Sequence, residues 1–209
     1  MKEQPFTGRL DLQAFRNSIE SELRKDILPF WIKHTPDVEH GGFHGRISND
    51  LVVTPGADKG IILNSRILWT FSRAFRTYRE GPLLQMAERA YEYITEYFFD
   101  RDFGGVFWTV DHTGKPRDTK KRLYGQAFTI YALSEYHLAT GDEAALRAAR
   151  ELFDLIYSKG RDRVYGGYFE TYEREWRLAA DQRLSEVDQS VVSSYSVRSK
   201  RCERERRQR

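Results

Sequence analysis

The sequence predicts an all-α fold in which inner and outer helices alternate and curve toward a toroid. The first observation is a repeat: a Gly-Gly pair begins at Gly41, Gly104 and Gly166, at nearly equal intervals along the chain. The second is that the segments between these pairs read as two helices, one apolar nearly all round and one amphipathic. A period this long, built from helix pairs, is typical of stacked helical repeats.

Five segments carry apolar residues at the three- and four-residue steps of a helix: 9–33, 59–79, 82–99, 119–139 and 142–158. The second and fourth are apolar around most of their circumference and are therefore predicted to lie inside. The third and fifth have one charged face and are predicted to lie outside. Asp58 is predicted to open the second helix, and Asp118 or Thr119 to cap the fourth.

Each Gly-Gly pair is predicted to open a β-hairpin that joins an outer helix to the next inner helix. Residues 104–110 are rich in aromatic and β-branched residues, and Gly and Pro mark a turn over 111–116. Short turns at 80–82 and 140–142 suit antiparallel neighbouring helices. In a toroid the hairpins would rim a cavity that is lined by the beginnings of the inner helices.

The composition suits a globular protein with a near-neutral body. Of the 209 residues, 40% are apolar, and the net charge is +3. Residues 190–209 hold seven of the basic residues and two acidic ones, so the body offers no basic surface for nucleic acid. Cys202 is the single cysteine, and no apolar run has membrane-spanning length. We therefore expect a cytoplasmic protein with neither nucleic-acid nor membrane partners.

The composition changes sharply at about Gln189. A third inner helix should begin near residue 180, but the serine-rich and β-branched stretch 190–197 favours helix poorly. Residues 198–209 are a charge block without apolar periodicity, which is typical of disorder. We predict one helical domain over 1–189 and a basic, disordered tail over 190–209, for which a frameshift after Gln189 would account.

Polar residues near the beginnings of the inner helices are the first candidate site. Arg66 lies in an apolar helix, where a buried guanidinium needs either a core carboxylate or an anionic or polyhydroxylated ligand. A 60-residue offset aligns Asn64 with Tyr124 and Arg66 with Gln126. Polar groups would then meet at one place on the cavity wall. The alternative is that they are satisfied polar residues of the core.

Four aromatic residues could stack on the apolar face of a sugar ring or simply pack in the core: Trp69, Trp108, Phe128 and Tyr131. Trp108 is on a predicted rim hairpin. Four acidic residues near the rim could serve a glycosidase, which needs a carboxylate pair, although the sequence singles out no pair: Asp100, Asp102, Asp111 and Glu170. The five histidines lack metal-site spacing, and we expect none of them to be catalytic.

Taken together, these motifs resemble the N-acylglucosamine 2-epimerase superfamily, and most closely the cellobiose 2-epimerases. The resemblance covers about residues 10–189. Its most specific stretches are Leu63-Asn64-Ser65-Arg66-Ile67-Leu68-Trp69 and Tyr124-Gly125-Gln126-Ala127-Phe128.

The resemblance implies an (α/α)6 barrel that epimerises a reducing-end aldose at carbon 2 through a cis-enediol. It implies two acid–base histidines, supporting roles for Arg66 and Tyr124, a small sugar as partner, and no metal or other cofactor. The substrate-binding residues that we predict are Asn64, Arg66, Trp108, Tyr124, Gln126 and Phe128.

One departure limits the expected activity. The family carries an Asn-Thr-His-x-His motif soon after the position of Gln189, and this sequence has Ser190-Val191-Val192 there instead. The later repeats that hold the histidine pair are also missing. We therefore expect about half of the barrel, truncated and inactive by itself. The alternative is a non-catalytic half-barrel that binds sugar or assembles with another copy through its exposed inner helices.

Overall fold

The computed structural model describes residues 11–179, and the chain divides into two compact units, residues 1–36 and 37–209. The predicted third inner helix, the domain boundary at 189 and the basic tail therefore lie outside the described residues. In the first unit, α1 (Leu12–Glu22) continues through a π-helical turn (Leu23–Ile27) into α2 (Leu28–His34). The Asp11 carboxylate accepts hydrogen bonds from the first turn of α1 and caps it.

Two helix pairs form the body of the second unit. The inner helices are α3 (Ile61–Tyr78) and α5 (Leu123–Thr140). The outer helices are α4 (Gly81–Tyr93) and α6 (Glu143–Leu155), and each ends in a π-helical turn, Ile94–Phe98 and Ile156–Gly160. α3 packs against α4 and α5, and α5 packs against α6. The predicted alternation of inner and outer helices is thus confirmed.

Short strands hold the loop ends of these helices together. β1 (Lys59–Gly60) pairs with β2 (Thr109–Val110), and β2 pairs with β3 (Pro116–Asp118), all antiparallel. The predicted hairpin and its turn are confirmed. β4 (Lys121–Arg122) pairs with β5 (Thr171–Tyr172). Each inner helix therefore begins directly after a strand that is fixed to the following repeat.

The N-caps predicted for the inner helices are wrong, because a paired strand continues up to the beginning of each of these helices. The residues that precede α3 and α5 are Gly60 and Arg122, and neither supplies a side-chain cap. Asp118 lies in β3, because the chain stays extended until β4 has paired. An Asp before an apolar stretch has the composition of a cap, but strand pairing keeps Asp118 away from the beginning of the helix.

The true structural period is slightly longer than the 60-residue offset used to align the inner helices, and that offset is wrong. α3 and α5 begin at Ile61 and Leu123, and the outer helices begin at Gly81 and Glu143. The left-handed residues that end the inner helices are Arg79 and Gly141, at φ 58° and 81°. Gly81 and Gly141, which are 60 residues apart, are therefore not equivalent, because Gly81 begins an outer helix and Gly141 ends an inner one.

An aspartate organises each Gly-Gly hairpin. Asp37 donates its backbone N–H to the Gly42 carbonyl at 3.1 Å, and its Oδ1 accepts from the backbone N–H groups of Glu39 and His40. Asp100 and Asp162 make the same three contacts in the next two repeats. In the second hairpin the left-handed Gly105 leaves no room for a side chain, since a Cβ there would lie 2.9 Å from Trp176.

Two of these aspartates, Asp37 and Asp100, form buried ion pairs with the lysines that precede the inner helices. Lys59 Nζ lies 2.8 Å from Asp37 Oδ2, and Lys121 Nζ lies 2.7 Å from Asp100 Oδ2. Both lysine side chains are almost fully buried. Burial alone would raise the pKa of Asp37, but the hydrogen bonds from Lys59 and from the backbone outweigh it and lower that pKa to about 2.

Asp100, one of the four acidic residues that the sequence offers as glycosidase candidates, is not open to a ligand. Its carboxylate is fully buried and accepts from Lys121 and, through two oxygens, from Arg174. Burial opposes the charged form, yet these hydrogen bonds hold the pKa of Asp100 well below its usual range. Asp100 is therefore a structural carboxylate.

Within residues 11–179, no helix is both long and apolar enough to cross a bilayer.

We predict that Lys121→Met destabilises the protein by about 3 kcal/mol, because removing one partner leaves a buried carboxylate short of compensation. The loss should appear as a lower midpoint of urea unfolding. Lys120→Met is the matched control, since Lys120 is exposed, and its midpoint should hardly move. Equal effects for the two variants would contradict the structural role of the buried pair.

Candidate active-site surface

The side of α3 and α5 that no outer helix covers forms a continuous surface, which we call the inner face. It is defined by six side chains, all exposed or half-buried: Arg66, Trp69, Arg73, Tyr124, Phe128 and Tyr131. On each helix these positions follow one another at steps of three or four residues, the spacing that keeps side chains on one side. The inner face therefore follows from helical geometry and from the absence of a covering layer among residues 11–179.

Arg66 is the central charged group of this face. Its guanidinium carbon lies 5.2 Å from the centroid of the Phe128 ring, and that ring lies 4.8 Å from the ring of Tyr124. The sequence left open whether Arg66 lies on the cavity wall or is a satisfied core residue, and its exposed side chain excludes the core position. Within residues 11–179 it makes no ion pair with any carboxylate. Its N–H donors are therefore available to a ligand.

The other side chains of the inner face make contacts between α3 and α5. The rings of Trp69 and Tyr131 stack, with centroids 5.1 Å apart and planes inclined by 18°. Farther along, Glu135 accepts a 2.6 Å hydrogen bond from Arg76 and lies 3.7 Å from Arg73. The Trp69–Tyr131 stack, the Arg66–Phe128 contact and the ion pairs of Glu135 thus tie α3 to α5. The sequence left open whether Trp69 and Tyr131 bind sugar or pack in the core. In the structure both rings are half-buried and lie at the boundary between α3 and α5.

Two predicted substrate-binding residues are not on the inner face. Gln126 is 1% exposed, and its side chain both accepts from the Val106 N–H at 2.8 Å and donates to the Val106 carbonyl at 2.7 Å. Asn64 is fully buried and donates to the carbonyl of Gly60. When the helix beginnings are aligned, these two residues are equivalent to each other, and Arg66 is equivalent to Phe128. The mistaken offset had paired Arg66 with Gln126.

Trp108 lies at the junction of the hairpin and α5. It is half-buried, and the guanidinium of Arg122 lies 4.4 Å from its ring. A side chain at Gly125 would approach the same ring at 3.3 Å, so the small residue between Tyr124 and Gln126 makes room for Trp108. The structure shows no contact between Trp108 and the Arg66–Phe128–Tyr124 cluster.

The described histidines do not provide an acid–base pair on the inner face. Of the five, only His137 lies on an inner helix, and it is buried, with its Nδ1 2.9 Å from the Asp142 carbonyl. Within residues 11–179, no three His, Cys, Asp or Glu side chains are arranged to hold a metal ion. The face can therefore bind and polarise a polyhydroxylated ligand, but it offers no obvious group for proton transfer at carbon.

Comparison with known proteins identifies the family. Residues 41–186 match the family model of N-acylglucosamine 2-epimerase (GlcNAc 2-epimerase). The chain is 46% identical over 176 residues to a cellobiose 2-epimerase of Bacteroides fragilis, covering 84% of this chain and 45% of that protein. It is also 46% identical over 170 residues to one of Ruminococcus albus, covering 81% and 43%. The chain thus spans about half the length of the curated relatives that it matches.

Solved structures agree with this assignment. A cellobiose 2-epimerase from Spirochaeta thermophila superposes with a TM-score of 0.84 and 37% identity, over 93% of this chain and 51% of that one. A D-mannose isomerase, 20% identical with a TM-score of 0.75, shares the fold. The class defined by the fold is therefore that of the (α/α)6 barrels, of which this chain corresponds to about half. The chain belongs to the N-acylglucosamine 2-epimerase family.

We predict that Gln126→Ala lowers the free energy of unfolding by about 2–3 kcal/mol, because both polar groups of buried Val106 lose their partner. The measurement is urea denaturation, with Gln85→Ala on the exposed side of α4 as control. A variant of unchanged stability would return Gln126 to the candidate ligand-binding residues.

Proposed function

We propose that this chain forms part of the active site of a carbohydrate 2-epimerase that inverts carbon 2 of the reducing-end aldose of cellobiose or a related sugar. The observation that carries the proposal is Arg66, a guanidinium on the inner face that has aromatic neighbours and no carboxylate partner among the described residues. In a chain of this family, such a group is suited to the oxygens of an open-chain sugar.

The reaction needs no oxidant or reductant. Once the ring has opened, a base removes the proton on carbon 2, and the electron pair of that C–H bond moves toward the aldehyde oxygen. A cis-enediolate results. When a proton returns to carbon 2 from the opposite face, the aldehyde is restored with inverted configuration, and no other atom has been gained or lost.

Arg66 would stabilise the enediolate rather than transfer protons. A guanidinium stays charged across the physiological pH range, so it is a poor general base. Its planar array of N–H donors can serve the two adjacent oxygens on carbons 1 and 2, where negative charge develops. The nearby Phe128 ring limits the directions in which the guanidinium can point, and this reduces the reorganisation needed during reaction.

The aromatic residues would orient the sugar. Tyr124 and Phe128 present adjoining rings beside Arg66, which suits the apolar C–H face of a pyranose. The Tyr124 hydroxyl adds a donor and acceptor next to that apolar surface. We keep Trp108 as a candidate for a more distant part of a disaccharide, since it lies on the hairpin that precedes α5.

The acid–base pair is not among the described residues of the inner face. The family resemblance assigns proton transfer to two histidines in later repeats, so we propose that this chain alone does not epimerise cellobiose. The second candidate function, sugar binding or self-assembly without catalysis, uses the same uncovered inner face. In a complete barrel, other helices would lie opposite this surface.

We predict that Arg66→Ala weakens cellobiose binding about tenfold, since hydrogen bonds to a charged donor contribute about 1.5–3 kcal/mol each. Saturation-transfer NMR titration of cellobiose on the purified chain gives the Kd. Arg147→Ala, which removes an exposed arginine from the outer helix α6, is the matched control and should bind like the parent chain.

Equal affinity in the Arg66 and Arg147 variants would remove Arg66 from the site. Loss of binding in both variants would indicate a general effect of charge and would also contradict the proposal.

A further inference from the structure

A cavity lies among the first Gly-Gly hairpin, the loop that precedes β1 and the turn that joins β2 to β3. Its volume is about 460 Å³. The side chains that could bind a ligand are Asp37, Glu39, His40, His44, Lys59 and His112. None of the six inner-face residues lines it, so it is separate from the site described above. No function considered so far uses these three histidines.

The next repeat shows what the equivalent space can hold, because there it is filled by Arg174. The Arg174 guanidinium donates from Nε to Asp100 Oδ2 at 2.9 Å and from Nη2 to Asp100 Oδ1 at 3.0 Å. Its Nη2 also lies 2.6 Å from Asp102 Oδ2. The guanidinium carbon lies 5.2 Å from the ring centroid of Phe103 and 5.6 Å from that of Phe107.

Every member of that arrangement has a counterpart one repeat earlier in the sequence. The two carboxylates correspond to Asp37 and Glu39, and the buried Lys121 corresponds to Lys59. The rings of Phe103 and Phe107 correspond to those of His40 and His44. Arg174 itself corresponds to His112. The first repeat therefore keeps two carboxylates, a buried lysine and two flat rings, but has an imidazole where the second has a guanidinium.

An imidazole is too short to replace Arg174. The His112 ring contacts the His40 ring edge to face, with centroids 5.0 Å apart. Within residues 11–179, no hydrogen bond or ion pair joins His112 to Asp37 or Glu39. The space that the guanidinium occupies in the second repeat thus remains as the cavity in the first. With neutral histidines, its lining carries two carboxylates against the single ammonium group of Lys59.

Lys59 does not prevent a second cation from binding. In the second repeat, Asp100 accepts from Lys121 and from Arg174 at once. Asp37 is paired with Lys59 in the same way through Oδ2, and the nearest imidazole nitrogens of His40 and His44 lie 3.8 and 3.9 Å from its carboxylate oxygens, beyond hydrogen-bond distance. The carboxylate can therefore accept the additional N–H donors that Asp100 accepts from Arg174.

We propose that this cavity binds a guanidinium group, held by Asp37 and Glu39 between the rings of His40 and His44. A planar guanidinium suits the site better than an ammonium ion, because it can donate to two carboxylates and stack on flat rings at the same time. The group can come from a small molecule or from an arginine side chain of a second copy of the chain.

The test is titration of the purified chain with methylguanidinium at pH 8, where unperturbed imidazoles are neutral. Side-chain NMR signals of the histidines report binding. We expect saturable shifts of His40, His44 and His112, with weaker binding of methylammonium and none of tetramethylammonium, which lacks N–H donors. Glu39→Gln should weaken methylguanidinium binding by roughly threefold, as for an exposed ion pair.

The decisive variant is His112→Arg, which supplies the missing guanidinium from the chain itself. It should abolish the methylguanidinium shifts of His40 and His44 and raise the thermal midpoint by ~2–4 °C. Lys115→Arg is the matched control, because it places a guanidinium on the same turn at a residue that does not line the cavity. That variant should bind methylguanidinium like the parent.

The two sources of the group are distinguished by light scattering. A concentration-dependent dimer that methylguanidinium dissociates, and that His112→Arg abolishes, identifies an arginine of a second copy. A monomer with saturable shifts identifies a small-molecule ligand. The absence of saturable shifts in a monomeric parent chain, or equal shifts in the parent and in His112→Arg, would overturn the proposal.

Discussion

The buried lysine–aspartate pair at each of the first two Gly-Gly hairpins is the interaction on which the positions of α3 and α5 depend. Lys59 and Lys121 each lie two residues before the first residue of an inner helix, and each ammonium is held by the aspartate that organises the preceding hairpin. An ion pair removed from water is costly to break, because one charge would then remain buried without compensation. The pair therefore fixes where each inner helix begins relative to its hairpin.

The residue at which each inner helix begins determines which of its side chains lie on the inner face. Arg66 follows Lys59 by seven residues, and Phe128 follows Lys121 by seven, which is about two helical turns. Because both helices begin at the same point of the repeat, these equivalent residues meet across the boundary between α3 and α5, with the guanidinium carbon 5.2 Å from the ring centroid. The backbone framework is thus repeated, while the side chains at equivalent positions differ and supply the chemistry.

The same division between a repeated framework and varied side chains accounts for the cavity lined by the histidines. In one repeat an arginine completes the ion-pair network around the hairpin aspartate, and in the other a histidine leaves the equivalent space open. Repeat proteins commonly tolerate such differences, because each repeat packs mainly on its neighbours and one vacant position disturbs little else. The sequence alone does not reveal this space, since its walls come from segments that are far apart in the chain.

Much of the fold could be predicted from the sequence. The helices, their inner or outer placement and the second hairpin all follow from apolar spacing and from the Gly-Gly repeat, which are local signals. The sequence could not decide between the cavity wall and the core for Arg66, because a helix that is apolar nearly all round suggests burial, whereas one side of this helix has no covering layer among residues 11–179. Gln126 was misjudged because a two-residue error in aligning the repeats rotates a helical position by more than half a turn.

The sequence analysis also could not predict which charged residues form ion pairs across long distances in the chain. Nothing local distinguishes Lys121, which is fully buried, from exposed Lys120 beside it. The difference arises from Asp100, a residue 21 positions earlier, and from the hairpin that brings the two together. Aligning the repeats on the beginnings of their inner helices places a lysine and an aspartate at equivalent positions twice, and this was the signal that could have revealed the pair.

The central claim is that this chain supplies the arginine-bearing part of an epimerase site whose proton-transfer groups lie in the other half of the barrel. The most direct test is complementation: the chain is mixed with the complementary half of the Bacteroides fragilis relative, and exchange and inversion at carbon 2 of cellobiose are followed by NMR in D2O. We predict activity from the assembled halves, none from either half alone, and at least a hundredfold less with Arg66→Ala, as when a group that stabilises a developing oxyanion is removed. Activity of this chain alone, or an assembled complex that is equally active with and without Arg66, would contradict the account.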